Sequence, residues 1–412
     1  MTAQISAGDT AWVLAGSALV MLMTPGLALF YGGMVRQKNV LGTIMQSFFI
    51  VAVVSVLWAI IGYSLAFGQD RGHLIGSLAW FGLRGVGQRP NADYAATIPA
   101  LAFMIFQMMF AVITPALITG AFAERIKFKS FLLFIVLWSL VVYAPIAHWV
   151  WGTGGWLRNL GALDFAGGTV VHISSGAAAL AAVLVTGRRR GYGSAVFASH
   201  NLPLTILGAA MLWFGWFGFN AASALSAGGL ACSAFVATHL AAAAAALSWV
   251  GAEWLQHGKP TTLGAASGCV AGLVAITPAS GFVAPMPAIV IGVVAGAACY
   301  GAVQAKWRLG YDDSLDVVGI HGVGGFLGAL LTGVFAARVV NAAGADGLIF
   351  GHVGILGVQA IAAGASAAYS FVVSFILFKI VDAIWGLRVS PEHEEIGLDQ
   401  SQHGEAAYGT GI

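Results

Sequence analysis

Two stretches of this sequence repeat one another: Asp164-Phe-Ala-Gly-Gly-Thr-Val-Val-His172 and Asp313-Ser-Leu-Asp-Val-Val-Gly-Ile-His321. Each opens on a carboxylate, reaches a histidine eight residues later, and runs into a long apolar segment. Their surroundings decide what such a pair can be. Of the 412 residues, 59% are hydrophobic and only 8% charged, against roughly 25% charged in a soluble domain. Too few polar side chains remain to cover a water-facing surface, so the solvent is lipid. In lipid, only helices and closed barrels satisfy the backbone. Barrel strands alternate over about ten residues, whereas the apolar runs here are long and continuous. The chain reads as an all-α polytopic membrane protein.

A crossing helix needs roughly 20 apolar residues, and eleven runs qualify: Trp12–Met34, Val40–Phe67, Ile98–Ala123, Phe131–Trp151, Ala166–Thr186, Leu202–Ala222, Leu230–Trp254, Leu263–Ser280, Pro287–Ala305, Leu315–Ala336 and Ile355–Phe378. The eighth and ninth are short and separated by a Gly/Pro-rich turn. Eleven is odd, so the termini lie on opposite sides, and basic residues choose the sides. With the N-terminus outside, thirteen of the eighteen Lys and Arg face the cytoplasm and five (Arg71, Arg84, Arg89, Arg158, Arg338) face out; the expected topology is N-out, C-in. Residues 1–381 form one membrane domain, followed by a polar tail, 382–412. Met1 to Thr10 lack a basic leader, so no signal peptide is expected. Cys232, Cys269 and Cys299 all fall within spans and read as small packing residues.

The paired motifs belong to a larger repeat. Gly26-Leu-Ala-Leu-Phe30 in the first run is echoed by Gly215-Trp-Phe-Gly-Phe219 in the sixth. Runs one to five therefore match runs six to ten in a 5+5 inverted repeat, an architecture common among transporters, with the eleventh outside it. Eight helical residues rise about 12 Å, close to the roughly 15 Å half-thickness of the hydrocarbon core. Reached from opposite sides, His172 and His321 are predicted to meet near the midplane. Two unrelated core histidines would not sit at symmetric positions behind symmetric carboxylates.

Apolar neighbours favour neutral imidazoles, since desolvation disfavours charge. A neutral pair can hydrogen-bond to one another, offer a partner to a small molecule, or relay a proton. Two histidines are too few for a metal site, and His148, His200, His239 and His352 lie near span ends, where they read as interfacial or capping residues. On the outer side, Phe106 and Phe110 share a helix face at i, i+4, Trp149 and Trp151 close the fourth run, and Trp216, Phe219 and Ser223 lie on the sixth. Aromatic faces attract a partly desolvated cation by roughly 0.5 to 2 kcal/mol; an interfacial belt explains Trp149 well, but the phenylalanine pair beside the span-end Ser223 less well. A fixed charge at the bilayer centre costs at least ~2.5 kcal/mol. A cation that can shed a proton avoids part of that cost and an alkali ion does not, which selects ammonium.

Several long motifs now stand in order: Pro25-Gly-Leu-Ala-Leu-Phe-Tyr-Gly-Gly33, Gly120-Ala-Phe-Ala-Glu-Arg125, Asp164 to His172, Gly215-Trp-Phe-Gly-Phe-Asn220, and the tail pattern Gly386-Leu-Arg388, Gly397-Leu-Asp399, His403-Gly-Glu405 and Ala407-Tyr408. Over essentially its whole length the chain resembles the ammonium transporter (Amt/Mep/Rh) family, in its bacterial Amt branch. The resemblance implies a multi-pass protein of the cell inner (plasma) membrane that is not an enzyme, uses no cofactor or metal, and carries ammonium or ammonia, with methylammonium accepted. It implies a homotrimer in lipid with one pore per subunit and no nucleic-acid partner. Trp151, Ser223 and Phe110 would form an outer recruitment site, with Phe106 and Gln107 nearby and Asp164 holding it from below. Phe110 and Phe219 would gate the pore, His172 and His321 would be its twin histidines, and Leu27, Phe30, Tyr31, Leu117, Leu212, Trp216 and Val317 would line it.

The tail, with Gly386, Arg388, Gly397, Asp399, His403, Glu405 and Tyr408, would pack beneath the pore and meet a trimeric PII-type regulator. Without the resemblance it would read as a solvated charged segment. A rival reading is an ammonium sensor with little flux; such sensors usually carry an appended signalling domain, which the short tail leaves no room for. A neutral-gas or water channel fits the outer aromatic cage and Ser223 poorly.

Overall fold

The computed structural model describes residues 4–194 and 197–408, so the first three residues of the N-terminal stretch and the last four of the tail lie outside the described residues. Among the described residues, ten helices are long and apolar enough to cross a membrane, and a shorter apolar helix, Thr262–Ile276, stands where the eighth run is expected. Capping explains where several begin. The first, Ala7–Met34, starts five residues before the expected Trp12 because the Ser6 hydroxyl accepts from the Asp9 N–H at 3.2 Å. Asn201 and Thr261 do the same for the sixth and eighth, each satisfying an orphan donor of the first turn. The third, Ala100–Ile118, ends before the expected Ala123, and Gly120–Arg125 turns instead, with Glu124 in the left-handed region at φ 73°. The last helix, Val353–Trp385, runs past the end of its apolar segment at Phe378.

Two seams hold the pore helices, and both rest on close glycine contact, the usual means of bringing membrane helices together. Spans one and six lie against one another along their length. A Cβ on Gly208 would strike the backbone of Phe30, and one on Gly33 the Thr205 side chain. Spans five (Gly168–Thr186) and ten (Val318–Phe335) cross where a Cβ on Gly176 would overlap the Gly322 backbone. These are the two pairings that the internal repeat relates.

Asp164 is not eight helical residues from His172: the helix begins only at Gly168, and both histidines sit in single π-helical turns, Gly168–Ile173 and Val318–Val323. Such turns concentrate at functional sites. Asp164 is itself buried, only 7% exposed. His148 also departs from its expected interfacial role. It is fully buried, with Nδ1 2.9 Å from the Ala66 carbonyl and Nε2 2.9 Å from Asp70, because a short hairpin (Asp70–Arg71 with Ile75–Gly76) folds over the fourth span. Trp149 is buried beneath the same hairpin, its indole N–H donating to the Leu74 carbonyl at 2.8 Å. His352 occupies the N-cap position of the last helix, and His239 packs against Trp213.

On the opposite side the tail is docked, not a free extension. Arg388 Nη1 donates to the carbonyls of Thr186 (3.3 Å) and Arg188 (2.7 Å), capping the span that carries His172. Its other nitrogens bind Glu394. Asp399 accepts from the Gly42 N–H at 2.8 Å and Asn39 from the Leu398 N–H at 2.8 Å, so the tail caps the N-terminus of span two. Gly397, at φ 108°, lies against Lys38 where a side chain would collide. Gly386, also at positive φ, turns the chain out of the last helix. His403 sits edge-on to Phe128, the Glu405 N–H donates to the Asp399 carbonyl, and Tyr408 OH lies 2.9 Å from His200 Nε2.

Candidate functional site

On the side away from the tail, a chamber of about 530 Å³ is lined by Phe110, Gln107, Trp151, Asp164 and Ser223, together with Tyr94, Phe103, Arg158, Leu225 and Phe282. Trp151 is held twice. Its indole N–H donates to the Asp164 carbonyl at 2.9 Å, and its own carbonyl accepts from Arg158 Nη1 at 2.6 Å. The buried Gln107 Oε1 has no partner, and Ser223 donates to the Phe219 carbonyl at 2.7 Å, which leaves its oxygen lone pairs free to accept. Phe106 is fully buried behind Phe110, with ring centroids 5.0 Å apart, and does not reach the chamber.

The chamber floor is a pair of rings. Phe110 and Phe219 lie 4.5 Å apart between centroids; only Phe110 faces the chamber and only Phe219 faces the void beneath. That void measures about 10 Å³ and is lined by Leu27, Phe30, Leu117, Leu212, Trp216, His172 and His321, with Met23, Ile113, Val171 and Val270. It holds at most about one water-sized molecule. Tyr31 and Val317 lie deeper toward the tail, both against Gly120, and Tyr31 OH donates to the Leu117 carbonyl. Trp216 belongs to the void and not to the outer cage: it stacks on His172 at 5.4 Å and donates to Thr277 Oγ1 at 2.9 Å.

The rings form one column. Trp151 meets Phe110 at 5.8 Å, Phe110 meets Phe219, Phe219 stacks on His172 at 5.9 Å, and His172 stacks on His321 at 5.2 Å. The two Nδ1 atoms are 3.2 Å apart, while His172 Nε2 is buried without a partner. An unpaired buried polar atom carries a desolvation cost of about 1 to 3 kcal/mol, which a small hydrogen-bonding molecule at this nitrogen would relieve.

The two motif carboxylates do different work. Asp164 accepts four backbone N–H groups, from Gly167, Gly168, Thr169 and Val170, at 2.6–3.1 Å. Both its oxygens are consumed in capping the π-turn. Asp313 accepts only from Val318 through Oδ2, at 2.7 Å, and its Oδ1 is buried without a partner. Lys306 lies beside it, bonded to the Asp313 carbonyl and to Asp316.

The family model described as Ammonium Transporter Family matches residues 11–408. The chain belongs to the ammonium transporter family. It is 54% identical over 402 residues to the ammonium transporter of Bacillus subtilis, covering 97% of this chain and 98% of that one. The crystal structure of Saccharomyces cerevisiae Mep2 superposes with a TM-score of 0.88 at 40% identity, over 94% of this chain and 91% of that one. A structure described as a sensor Amt protein superposes with the same score at 30% identity, over 96% and 98%. The eleven-helix family fold and a multi-pass membrane location follow.

Beneath the pore, an ion cluster ties the loops to one another, and the tail joins it where the Val389 N–H donates to the Arg125 carbonyl at 3.0 Å. Arg189 pairs with Asp312 (2.9 Å) and Glu124 (3.4 Å), Arg36 pairs with Glu124 (2.8 Å), and the buried Arg125 donates to Ser314 and the Asp312 carbonyl. Burial pushes the Glu124 carboxyl up, but Arg189 and Arg36 outweigh it and hold the group below its ordinary 4.5. Asp312 is lowered likewise, with the Arg189 and Arg125 guanidiniums overcoming its burial.

Proposed function

We propose that this protein recruits NH4⁺ in the chamber of Trp151, Phe110, Ser223 and Gln107, removes a proton, and conducts NH3 past His172 and His321. The observation that carries the reading is the ring column from the open chamber to an imidazole pair that lines an apolar void of about 10 Å³, with the buried His172 Nε2 left unpaired. Aromatic faces and two acceptor oxygens suit a small cation that donates hydrogen bonds. The dry void beneath suits its neutral base, because a charge there costs at least ~2.5 kcal/mol. The Phe110–Phe219 pair gates the passage between them. Asp164 holds the recruitment site without touching the ligand, since its oxygens are already bonded.

The protein works in the plasma membrane as a homotrimer with one pore per subunit, its N-terminus outside and its tail in the cytoplasm, where that tail couples the pore to a PII-type regulator. Supporting the tail's regulatory part, Arg388 and Asp399 cap spans five and two, so undocking it would loosen a helix that carries a pore histidine. The test is uptake into proteoliposomes of purified protein on ammonium pulses, with current recorded alongside. Ammonium-evoked uptake supports transport, and a current marks a proton that follows through the histidines. Tight ammonium binding with uptake at the background of empty liposomes would overturn transport in favour of sensing.

A further inference from the structure

We propose that Arg158 sets the cation affinity and the valence selectivity of the outer chamber; the inference rests on the reading of that chamber as the ammonium recruitment site. Arg158 is exposed on the chamber wall beside Trp151 and Ser223. Its Nη1 donates to the Trp151 carbonyl at 2.6 Å and to Thr153 Oγ1 at 3.3 Å, and its Cζ lies 6.0 Å from the Tyr94 ring centroid. Those contacts are neutral, and among the described residues no carboxylate comes within 4.0 Å of it. The one carboxylate that lines the chamber is Asp164, buried and already engaged by four N–H groups. The site built to hold a cation therefore carries a fixed, unneutralised positive charge at its rim.

Such a charge has the wrong sign for attracting the ligand, and its effect depends on the ligand's charge. Coulomb repulsion is linear in valence, so a rim charge that weakens a monovalent cation by some factor weakens a divalent one by the square of that factor. Across a solvated chamber the monovalent factor is about two- to fivefold, which makes the divalent factor about four- to twenty-fivefold. Ammonium keeps its ring and oxygen contacts and still enters. Dications that could make the same contacts through one ammonium head, such as diamines, are turned away. Arg158 thus trades some ammonium affinity for exclusion of multivalent competitors, and the trade weakens with salt as the screening length shrinks from about 30 Å at 0.01 M to about 3 Å at 1 M.

The experiment compares wild type, Arg158→Gln and Arg158→Lys in proteoliposomes, measuring the half-saturating ammonium concentration and inhibition by ethane-1,2-diammonium. Low and high concentrations of N-methylglucamine chloride bracket the ionic strength. Arg158→Gln is expected to lower the half-saturating concentration about two- to fivefold at low salt, to sharpen diamine inhibition by the square of the same factor, and to lose both effects at high salt. Arg158→Lys, which keeps the charge but loses the fork that holds the Trp151 carbonyl, is expected to keep the wild-type salt dependence and diamine discrimination, whatever the loosened Trp151 does to half-saturation itself. If Lys instead matches Gln, the residue acts by positioning Trp151 and the charge account is overturned, as it is if Gln leaves half-saturation unchanged. Should Arg158→Gln not fold, wild type alone decides: its half-saturating concentration falls as salt rises if the rim repels, and a constant or rising value contradicts the proposal. Wild type with no ammonium uptake at all would instead overturn the recruitment reading.

Discussion

Asp164→Asn tests whether the motif carboxylate is a scaffold or a ligand. In the native site its two oxygens serve four amides, Gly167 and Gly168 through Oδ1 and Thr169 and Val170 through Oδ2. Asparagine has one acceptor oxygen, so its amide NH2 must face two of those N–H groups, donor against donor. Hydrogen bonds to a charged acceptor contribute about 1.5 to 3 kcal/mol each, so two lost bonds amount to about 3 to 6 kcal/mol, offset in part by relief from burying a carboxylate. At about 1.4 kcal/mol per tenfold, each orphaned amide should exchange its hydrogen roughly 10- to 100-fold faster. Hydrogen–deuterium exchange read by mass spectrometry over residues 163–172 measures this directly. Because the Trp151 indole hangs on the Asp164 carbonyl, the same substitution should raise the half-saturating ammonium concentration. Lost transport with unchanged exchange at Gly167–Val170 would refute the scaffold role and place the carboxylate on the cation.

Three further outcomes are expected. Gly176→Ala would drive a methyl group into the Gly322 backbone; overpacking of this kind costs about 1 to 3 kcal/mol, and uptake should fall more than tenfold as the 3.2 Å imidazole contact opens. Wild-type uptake in the folded variant would show that the contact is dispensable. Arg388→Ala removes the cap on the Thr186 and Arg188 carbonyls and the pair with Glu394, so limited proteolysis should cut the tail faster, and unchanged cleavage would mean that Asp399 and its neighbours dock the tail unaided. Glu124 is held below its ordinary 4.5 in the folded protein, so its contribution to stability is full above that value and is lost as pH falls through the lower folded value. Glu124→Gln should flatten thermal stability against pH in that acid window, in part only because Asp312 titrates there too; a slope equal to wild type would contradict this.

Much of this protein was legible in its sequence because lipid imposes a simple rule on the backbone. Eleven apolar runs gave eleven helices, and the paired Asp-x7-His motifs brought His172 and His321 to 3.2 Å. What escaped was set by tertiary contact. The π-turns under both histidines leave no periodic signal, and counting helical rise from Asp164 used helix that is not there. Tyr94, Phe103, Arg158 and Phe282 reach the chamber from loops and helices far apart in the chain, so no spacing announces them. His148 looked interfacial by position alone, and only the folded hairpin that brings Asp70 against it makes it a buried anchor. Asp164 and Asp313 look equivalent as motifs, yet four amides engage one and a single amide the other, because the turns that follow them differ, with Gly167 at φ 118° after Asp164 and Asp316 at φ 64° after Asp313.

The central claim is that a cation is stripped of a proton above a dry histidine pair, and it is tested most directly by current and uptake in proteoliposomes on ammonium and on potassium pulses. Wild type is compared there with His172→Ala and His321→Ala. The account predicts ammonium uptake with no potassium response in wild type, and in each variant either lost ammonium transport or an admitted potassium current, since a widened and wetter void no longer demands a neutral base. Ammonium transport at the wild-type level with potassium still excluded, in both variants, would contradict it.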